Sequence, residues 1–270
     1  MKQVLLGLLL LSSGLIFGQV FPQMGARSGG LGGVGLTLSD VYAIYNNPGA
    51  FGALDETSIG LNYENRFLLK EISTQSLAFG YHTTNQGNFG LSFQQNGFNL
   101  FREMQVGLVY SRQLFKGFYG GFGLNLHRLQ IGENYGTRNT ASGSLGIFYQ
   151  AENDLRFGVR VQNISRTELA EYEDERFPTR FGLGFAYDFS EFLTWLAEIE
   201  KTIVHPINIK SGIEVNPHEA VYLRLGVNSY PFQSSFGFGF KVNQLYFDMA
   251  ALWHNTLGIS PSAGLKYSFN

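Results

Sequence analysis

Apolar and polar residues alternate along most of the chain after its N-terminal part. In residues 118–127, for example, Leu124 and Leu126 share one face, whereas Asn125 and His127 lie on the other. The same alternation recurs over 155–162, 180–188, 221–228 and 235–241. Because successive side chains of a β-strand point to opposite faces, this period of two predicts a chain built almost entirely of strands.

The composition of the polar face separates two architectures. A soluble sandwich or barrel would carry many charged residues on its water-exposed face. Here the polar face is mostly Gly, Ser, Asn and Tyr with isolated charges, and small residues suit the crowded interior of a closed barrel. Segments of about ten residues with aromatic-rich apolar faces are typical of membrane-spanning barrels. We therefore predict an all-β fold, a transmembrane antiparallel β-barrel with its apolar face outside.

The alternating segments predict about fourteen strands, an even number that is usual for a bacterial barrel. They cover 57–68, 74–83, 87–95, 104–115, 118–130, 139–150, 155–164, 178–189, 192–201, 206–215, 219–229, 234–242, 245–254 and 261–269. Tight turns are predicted at 85–87, 116–117, 151–154, 190–191, 217–218 and 243–244, and longer loops at 96–103, 131–138, 165–177 and 255–260. Since short turns belong on the periplasmic side, we expect both termini to be periplasmic.

Residues 24–54 do not alternate, and we predict that they form a compact hatch inside the barrel. Glycines crowd residues 25–35, Ser39 and Asp40 predict the start of a short helix, and the Asn-Pro-Gly sequence from Asn47 predicts its end. The predicted hatch residues are Gly25, Arg27, Gly30, Gly32, Gly33, Gly35, Asp40, Asn47 and Pro48, with Arg27 and Asp40 as its anchors to the wall.

The first residues have the pattern of a secretory signal peptide. Lys2 precedes an apolar run over 4–11, and a small residue, Gly18, stands before the predicted cleavage point at Gln19. The apolar run is too short for a retained membrane helix. We predict a signal peptide over 1–18, a periplasmic N-terminus and hatch over 19–56, and an outer-membrane barrel over 57–270 in a Gram-negative bacterium.

The bulk composition agrees with a lipid-facing surface. The 270 residues include 25 Phe and 14 Tyr, whereas only 15% are charged. The formal net charge of -2 gives no sign of a nucleic-acid partner. With no Cys, thiolate metal sites and Cys nucleophiles are excluded. We expect outer-membrane lipid as a partner, no nucleic acid and no cofactor.

Two patterns suggest chemistry, and we interpret both as structural. Residues 30–35 match the glycine spacing of a dinucleotide-binding loop, but no buried strand precedes them and no long helix follows. The five His residues fit no metal-binding spacing. A hydrolase would need His127 with Asn125 and a nucleophile at Ser142 or Ser144, and ordinary hydrogen bonding in the lumen is the favoured interpretation. We predict no catalytic and no metal-binding residues.

Charged residues on the polar face carry both signs. The lumen-wall charges are Arg156, Arg160, Arg180, Asp188, Glu198, Arg224, Lys241 and Asp248, with Glu64, Arg66, Glu200, Lys210, Glu214 and Lys266 on the same face. These charges could line a selective polar channel. We favour the alternative, a network of ion pairs among wall and hatch that holds a narrow barrel closed.

The hatch also carries a family resemblance. The glycine-rich run over 25–35, the Ser39-Asp40 pair and the Tyr-Asn-Asn-Pro-Gly-Ala sequence over 45–50 resemble the N-terminal region of the FadL-like long-chain fatty-acid transporter superfamily. The likeness is greatest to its PorV-like branch, which is associated with type IX secretion. The resemblance implies a fourteen-stranded barrel with an N-terminal hatch.

The resemblance and the charge pattern together give two functional hypotheses. The first is a non-enzymatic accessory or scaffold subunit of an outer-membrane protein secretion or assembly complex, whose partners are other subunits. The alternative is a FadL-like channel that transports small hydrophobic molecules across the outer membrane and binds a small hydrophobic ligand.

Overall fold

The computed structural model describes residues 24–132, 136–151, 154–165, 178–203 and 205–269. The predicted signal peptide over 1–18, the first residues of the predicted periplasmic N-terminus and most of the predicted loop at 165–177 lie outside this part of the chain.

Fourteen antiparallel strands form one closed barrel in which every strand pairs with its neighbours in sequence. The barrel closes where β1 pairs with β14, from Ser58 opposite Ser268 to Glu64 opposite Ser262. The strands are β1 Ser58–Asn65, β2 Ser73–Tyr81, β3 Asn88–Phe98, β4 Phe101–Phe115, β5 Phe118–Ile131, β6 Gly136–Ala151, β7 Leu155–Gln162, β8 Arg180–Ser190, β9 Leu193–Thr202, β10 Asn208–His218, β11 Val221–Ser229, β12 Phe232–Val242, β13 Leu245–His254 and β14 Gly258–Ser268. The predicted barrel of fourteen strands is confirmed.

Several connections differ from the prediction. The longer loop predicted at 96–103 is wrong, because β3 and β4 keep pairing up to Phe98 opposite Phe101. The loop predicted at 255–260 is also shorter, since β14 begins at Gly258. Conversely, the turn predicted at 85–87 is wider, because β2 already ends at Tyr81. Polar rim residues can pair as strands in water, so polarity alone overestimated the loops.

The first predicted strand, 57–68, is too long. The strand β1 ends at Asn65, and two short 3-10 helices follow, Arg66–Leu68 and Lys70–Ile72. Phe67 and Leu68 have positive φ angles of 54° and 60°, which a strand does not allow. Arg66 was expected on the inward face of this strand; it lies instead in the 3-10 helix, bonded to Glu64 at 3.1 Å.

The two faces of the wall differ as predicted for a barrel with its apolar side outside. On β5, Leu124 and Leu126 are 60% and 65% exposed, whereas Asn125 between them is 9% exposed. The same contrast continues around the barrel, with Phe, Leu, Ile and Val on the exposed outer positions. An apolar outer band of this kind is typical of membrane-spanning barrels. Among the described residues, no helix is long and apolar enough to cross a bilayer.

Residues 24–54, here called the lumenal segment, lie inside the barrel. They form three short helices, α1 Ala26–Gly30, α2 Ala43–Asn46 and α3 Pro48–Phe51. Side chains of the segment pack with inward-facing wall residues in two apolar clusters, Val41, Tyr42, Ala43, Ile44, Ala50, Phe51 and Leu54 with Ala78, Val109 and Phe148, and Leu31, Val34 and Leu38 with Ala186 and Leu196. The hydrophobic core is therefore in the lumen.

The helices of the lumenal segment begin later than the sequence predicted. Asp40 forms a turn, in which its side chain accepts from the backbone N–H of Tyr42 at 2.9 Å, and α2 begins only at Ala43. Asn47 ends α2, but it also caps α3, because its side chain accepts from the N–H of Gly49 at 2.9 Å. Pro48 fits the first position of α3, where no N–H is needed.

Candidate functional site in the barrel lumen

Two asparagines connect distant parts of the lumenal segment. Asn46 accepts from the backbone N–H of Met24 at 2.9 Å and donates to its carbonyl at 2.8 Å. The side-chain amide of Asn47 donates to Leu36 O at 2.8 Å and to Ile147 O of the wall at 3.1 Å. Because irregular backbone in a lumen must find partners for its polar groups, these amides replace the bonds that a helix or sheet would supply.

Three predicted hatch glycines hold a backbone conformation that other residues disfavour. Gly25, Gly32 and Gly33 have φ angles of 102°, 73° and 80°. A Cβ at Gly32 would also lie 2.7 Å from the backbone nitrogen of Val227 in the wall. Position 32 therefore requires glycine both for its conformation and for its close approach to β11.

The other glycines of the segment matter for space. A Cβ at Gly30 would lie 2.8 Å from the Cα of Gly237 in β12, so the two backbones touch with no side chain between them. At Gly35, a Cβ would lie 3.0 Å from the side chain of Asn46 within the segment itself. Glycine at position 30 therefore allows the backbone of the segment to contact the backbone of the wall, and glycine at position 35 allows the segment to pack against itself.

Glycines on the inward face of the wall make room for the lumenal segment. A Cβ at Gly212 would lie 2.8 Å from the Cβ of Leu31, and one at Gly60 would lie 2.7 Å from Cγ1 of Val41. The wall glycines at which a Cβ would approach the segment to less than 3.0 Å are Gly60, Gly80, Gly90, Gly121, Gly146, Gly158, Gly182, Gly184, Gly212, Gly226 and Gly237. The wall is thus shaped to the segment on every side of the barrel.

A chain of alternating charges ties α1 to the wall. Arg27 donates two hydrogen bonds to Glu214, at 3.0 and 2.6 Å, and lies 3.7 Å from Asp40. Glu214 also accepts from Arg224 at 2.6 Å, and Arg224 reaches Asp248 at 2.6 Å. Burial alone would lower the pKa of Arg27. The neighbouring carboxylates of Glu214 and Asp40 together raise it by more than burial lowers it, so the pKa is above its ordinary value and Arg27 stays charged.

A second charged group holds the middle of the segment. One carboxylate oxygen of Glu198 accepts from the backbone N–H groups of Gly35 and Leu36 at 3.0 and 3.2 Å. Its other oxygen accepts from Lys210 at 3.0 Å, and Lys210 also reaches Glu200 at 3.3 Å. The carboxylate therefore satisfies two backbone donors of the segment while remaining paired with a wall cation.

Arg160 extends the second charged group to α2. Its guanidinium donates to the carbonyl of Asn46 at 2.7 Å and to Glu200 at 3.2 Å. Arg180, predicted on the same face, is 6% exposed on β8. Carbonyls at the end of a helix lack partners within the helix, so the cation fits this position.

The remaining predicted wall charges lie nearer the end of the barrel at which the short turns 116–117, 191–192, 219–220 and 243–244 connect the strands, here called the tight-turn end. Arg156 donates to Asp188 at 2.6 Å, and Asp188 also accepts from Thr194 at 2.7 Å. Lys241 lies over the ring of Tyr246 at 5.0 Å rather than against a carboxylate. These groups contact other wall residues rather than the lumenal segment.

Two tyrosines of α2 and the turn before it reach the wall backbone. The hydroxyl of Tyr42 donates to Leu61 O of β1 at 2.6 Å and lies 3.2 Å from Leu265 O of β14, so it spans the closure of the barrel. The hydroxyl of Tyr45 likewise lies 2.7 and 2.8 Å from one carbonyl of β2 and one of β3, and its single proton is donated to one of them at a time. Burial raises the pKa of both phenols well above the usual value, which keeps them protonated as donors.

A polar cavity of about 480 Å³ lies between the lumenal segment and the wall at the tight-turn end. It is lined by Arg27, Asp40, Tyr42, Asp154, Arg156, Asp188, Ser190, Glu191, Thr194, Glu214, Asn216, Tyr222, Arg224, Tyr246, Asp248 and Lys266. Charges of both signs surround this space, so it favours water and polar groups over a hydrocarbon.

A second, largely apolar groove of about 370 Å³ lies at the closure of the barrel. Its lining is Leu61, Asn62, Tyr63, Gln75, Ser76, Leu77, Phe93, Phe247, Ala263, Gly264 and Leu265. The carbonyls of Leu61 and Leu265 are the two that Tyr42 contacts from inside. The groove therefore lies across the wall from the lumenal segment.

The candidate hydrolase residues are close together. His127 Nε2 lies 2.7 Å from Ser142 Oγ, and both side chains are buried in the lumen. The amide of Asn125 instead accepts from Gln105 at 3.0 Å. Ser144 Oγ donates to a wall carbonyl at 3.5 Å. The hydrogen bond that a nucleophile and base need is present, within a row of polar lumen residues that bond to one another.

The other predicted chemistries find no further support in the geometry. The glycine pattern over 30–35 does not open a helix; it begins at the last residue of the five-residue helix α1, and Gly30 and Gly32 lie against β12 and β11. In the described ranges, no group of three or more His, Asp or Glu side chains is placed to hold a metal ion.

Several residues of this site were absent from the candidates drawn from the sequence. Tyr42, Tyr45 and the wall glycines contact the segment directly. The sequence does contain a signal for the glycines, because they recur on the polar face of strand after strand. Tyr45 belongs to the sequence over 45–50 on which the family resemblance rests, but nothing in the sequence indicated that Tyr42 or Tyr45 contacts the wall.

We predict that filling a wall glycine will destabilise the barrel. Gly212→Val places a side chain where Leu31 packs, and overfilling a packed core typically costs about 1–3 kcal/mol. The control is Gly143→Val, because a Cβ at this strand glycine meets nothing within 4 Å. Equilibrium unfolding in lipid vesicles measures the free energy of unfolding of both variants. Equal stability of the two variants would contradict a wall shaped to the segment.

We further predict that Glu214 is essential for the charged chain around α1. Glu214→Ala leaves Arg27 and Arg224 without their shared partner, and breaking a buried ion pair costs about 3–5 kcal/mol. Glu191→Ala, at an exposed turn on the same cavity, is the control and should change the unfolding free energy by less than about 0.5 kcal/mol. A similarly small loss of unfolding free energy in both variants would show that the ion pairs around Glu214 contribute little to stability.

The barrel resembles solved structures of transport proteins. The Ralstonia pickettii toluene transporter TbuX aligns with a TM-score of 0.71 at 13% identity, over 92% of this chain and 98% of that chain. The Pseudomonas putida toluene transporter TodX aligns with a TM-score of 0.71 at 12% identity, over 92% and 99%. A Pseudomonas aeruginosa FadL homologue gives 0.62 at 12% identity, over 92% and 97%.

Comparisons of sequence give no relative. No family model matches the chain, and no curated protein matches it. At identities of 12–13%, the structural likeness concerns the fold, and the PorV-like branch stays a prediction. The chain forms a barrel of fourteen antiparallel strands whose fold is similar to that of the toluene transporters and of the FadL homologue.

Proposed function

We propose that this protein is a non-enzymatic outer-membrane channel for small hydrophobic molecules, closed in this conformation by its lumenal segment. The observation that carries the proposal is the fold, which it shares with toluene transporters, together with a segment that occupies the lumen from wall to wall. The apolar outer band supports a position in the membrane.

The proposed orientation places both termini in the periplasm. The backbone N–H of Phe269, just after β14, donates to the carbonyl of Thr57, just before β1, at 2.7 Å. The start of β1 and the end of β14 therefore lie at the same end of the barrel. Most connections at this end are tight turns, which favours the periplasmic side. The polar cavity then lies at the periplasmic end, and the segment separates it from the outer half of the lumen.

The two cavities suggest where a hydrophobic solute would leave. The polar cavity carries charged groups that a hydrocarbon cannot satisfy, so direct axial exit through it is unfavourable. The apolar groove at the closure offers a lining that a hydrocarbon matches. Tyr42 contacts both strands there, and a shift of the lumenal segment that withdraws Tyr42 would free this part of the wall.

A disulfide lock tests whether the lumenal segment must move. The chain has no Cys, so Gly29→Cys with Ala250→Cys introduces a single pair. A Cβ at Gly29 would lie 3.6 Å from that of Ala250 in β13, within the range of about 3.5–4.5 Å typical of disulfides. We expect the oxidised double variant to lose uptake of labelled toluene by intact Gram-negative cells, and we expect a permeant reductant to restore it.

The single variants Gly29→Cys and Ala250→Cys are the controls and should transport as the unmodified protein does. Uptake that is unaffected by the closed disulfide would show that α1 stays in place during transport. If the unmodified protein gives no uptake above cells without it, the channel function itself is wrong.

The second candidate is an accessory or scaffold subunit of a secretion or assembly complex. It is favoured by the extent of the bonding that holds the lumen closed, since a scaffold needs no open path. Affinity purification from membranes in a mild detergent should then recover partner subunits in fixed ratio. Purification of the barrel alone under every mild condition, together with measurable toluene uptake, would exclude this candidate.

A further inference from the structure

Charge is distributed unequally between the two faces of the barrel wall. On the described strands, every carboxylate faces the lumen, and the set is Glu64, Glu103, Asp188, Glu198, Glu200, Glu214 and Asp248. The charged residues that share the outward face with the apolar band are all basic, namely Arg102, Arg112, Arg128 and Lys201. Because no carboxylate shares the outward face of the described strands, these cations have no acidic neighbour on that face and are available to a partner of negative charge.

Two of these cations lie next to each other. Arg102 of β4 stands opposite Gln130 of β5, and Arg128 stands opposite Met104. Diagonal positions of this kind are about 7–8 Å apart on one face of an antiparallel pair. Both side chains are thus within reach of one group the size of a phosphate.

The contacts of the pair leave donors free. Arg102 donates to Asn99 at 3.2 Å through one terminal nitrogen, and its Nε is buried, so its other terminal nitrogen is the donor that can reach a partner outside the protein. Arg128 is exposed, and no ion pair involves it among the described residues. Lys201, by contrast, is engaged with the carbonyl of His205 at 2.6 Å.

The pair lies at the rim of the apolar band. Along β5, Leu124 and Leu126 are 60% and 65% exposed, and Arg128 is the next outward residue. Strand residues on one face are about 7 Å apart, so Arg128 lies just beyond the hydrocarbon-facing leucines. This is the depth at which lipid headgroups meet the outer edge of a membrane-spanning barrel.

We propose that Arg102 and Arg128 bind the phosphate group of an anionic membrane lipid at the loop end of the barrel. Guanidinium groups hydrogen-bond phosphate in a bidentate manner, and the apolar band beside them accommodates the acyl chains of the same lipid. The inference rests on the proposed membrane position of the barrel and is independent of any transport activity.

Native mass spectrometry of the purified protein in detergent tests the proposal, with phosphatidylglycerol and phosphatidylcholine as the probes. The variants are Arg102→Gln, Arg128→Gln and the double variant. A basic residue near an anionic lipid contributes about fivefold to the affinity, so the double variant should bind phosphatidylglycerol about 25-fold more weakly. Binding of phosphatidylcholine, which has no net charge, should not change.

Arg138→Gln is the matched control, because Arg138 lies in the adjoining strand β6 on the lumen face, opposite Leu129 of β5. It should bind both lipids as the unmodified protein does. The proposal is overturned if the double variant keeps its affinity for phosphatidylglycerol, or if Arg138→Gln lowers that affinity equally. Thermal unfolding of each variant confirms that the barrel remains folded, and toluene uptake, measured separately, distinguishes this result from a failure of the channel hypothesis.

Discussion

The structure depends on the fit between an irregular segment and a wall that carries glycine at many of the positions where the segment passes. At Gly212 and Gly60, a single methyl group would enter the volume of Leu31 and Val41. A lumen lined with ordinary side chains would exclude residues 24–54, whereas a lumen lined with glycine and nothing inside would be a large void. Segment and wall are each incomplete without the other, and the hydrophobic core of the protein is the boundary between them.

Arg27 and two backbone N–H groups of the segment are bonded by carboxylates that also pair with cations of the wall. Glu198 accepts from two backbone N–H groups and from Lys210, and Glu214 joins Arg27 to Arg224. Buried charges are costly unless both partners and the remaining lone pairs are engaged, and here the backbone of the segment supplies the missing donors. The charges therefore fix the position of the segment in the barrel more than they add to net stability.

The sequence predicted the barrel and its strand number because a period of two with an apolar outer face is typical of membrane-spanning barrels and of few further folds. It predicted loop lengths poorly, since residues 96–98 pair with residues 101–103 at the rim and leave only Asn99 and Leu100 in the turn. For the lumen, alternation could assign Glu214 and Arg224 to the inner face, but distances between strands far apart in sequence required the fold. The role of Tyr42 depends on where the barrel closes, which no local pattern encodes.

The contact of Tyr42 with both β1 and β14 has a consequence for how the chain assembles. The lumenal segment precedes β1 in the chain, whereas β14 is the last strand to be made, so the segment is available before the wall is complete. Tyr42 can contact both strands only after β1 and β14 have paired. The pairing of the last strand with the first therefore completes the contacts of a segment that precedes both in the chain, so the closure of the wall and the seating of the segment are coupled.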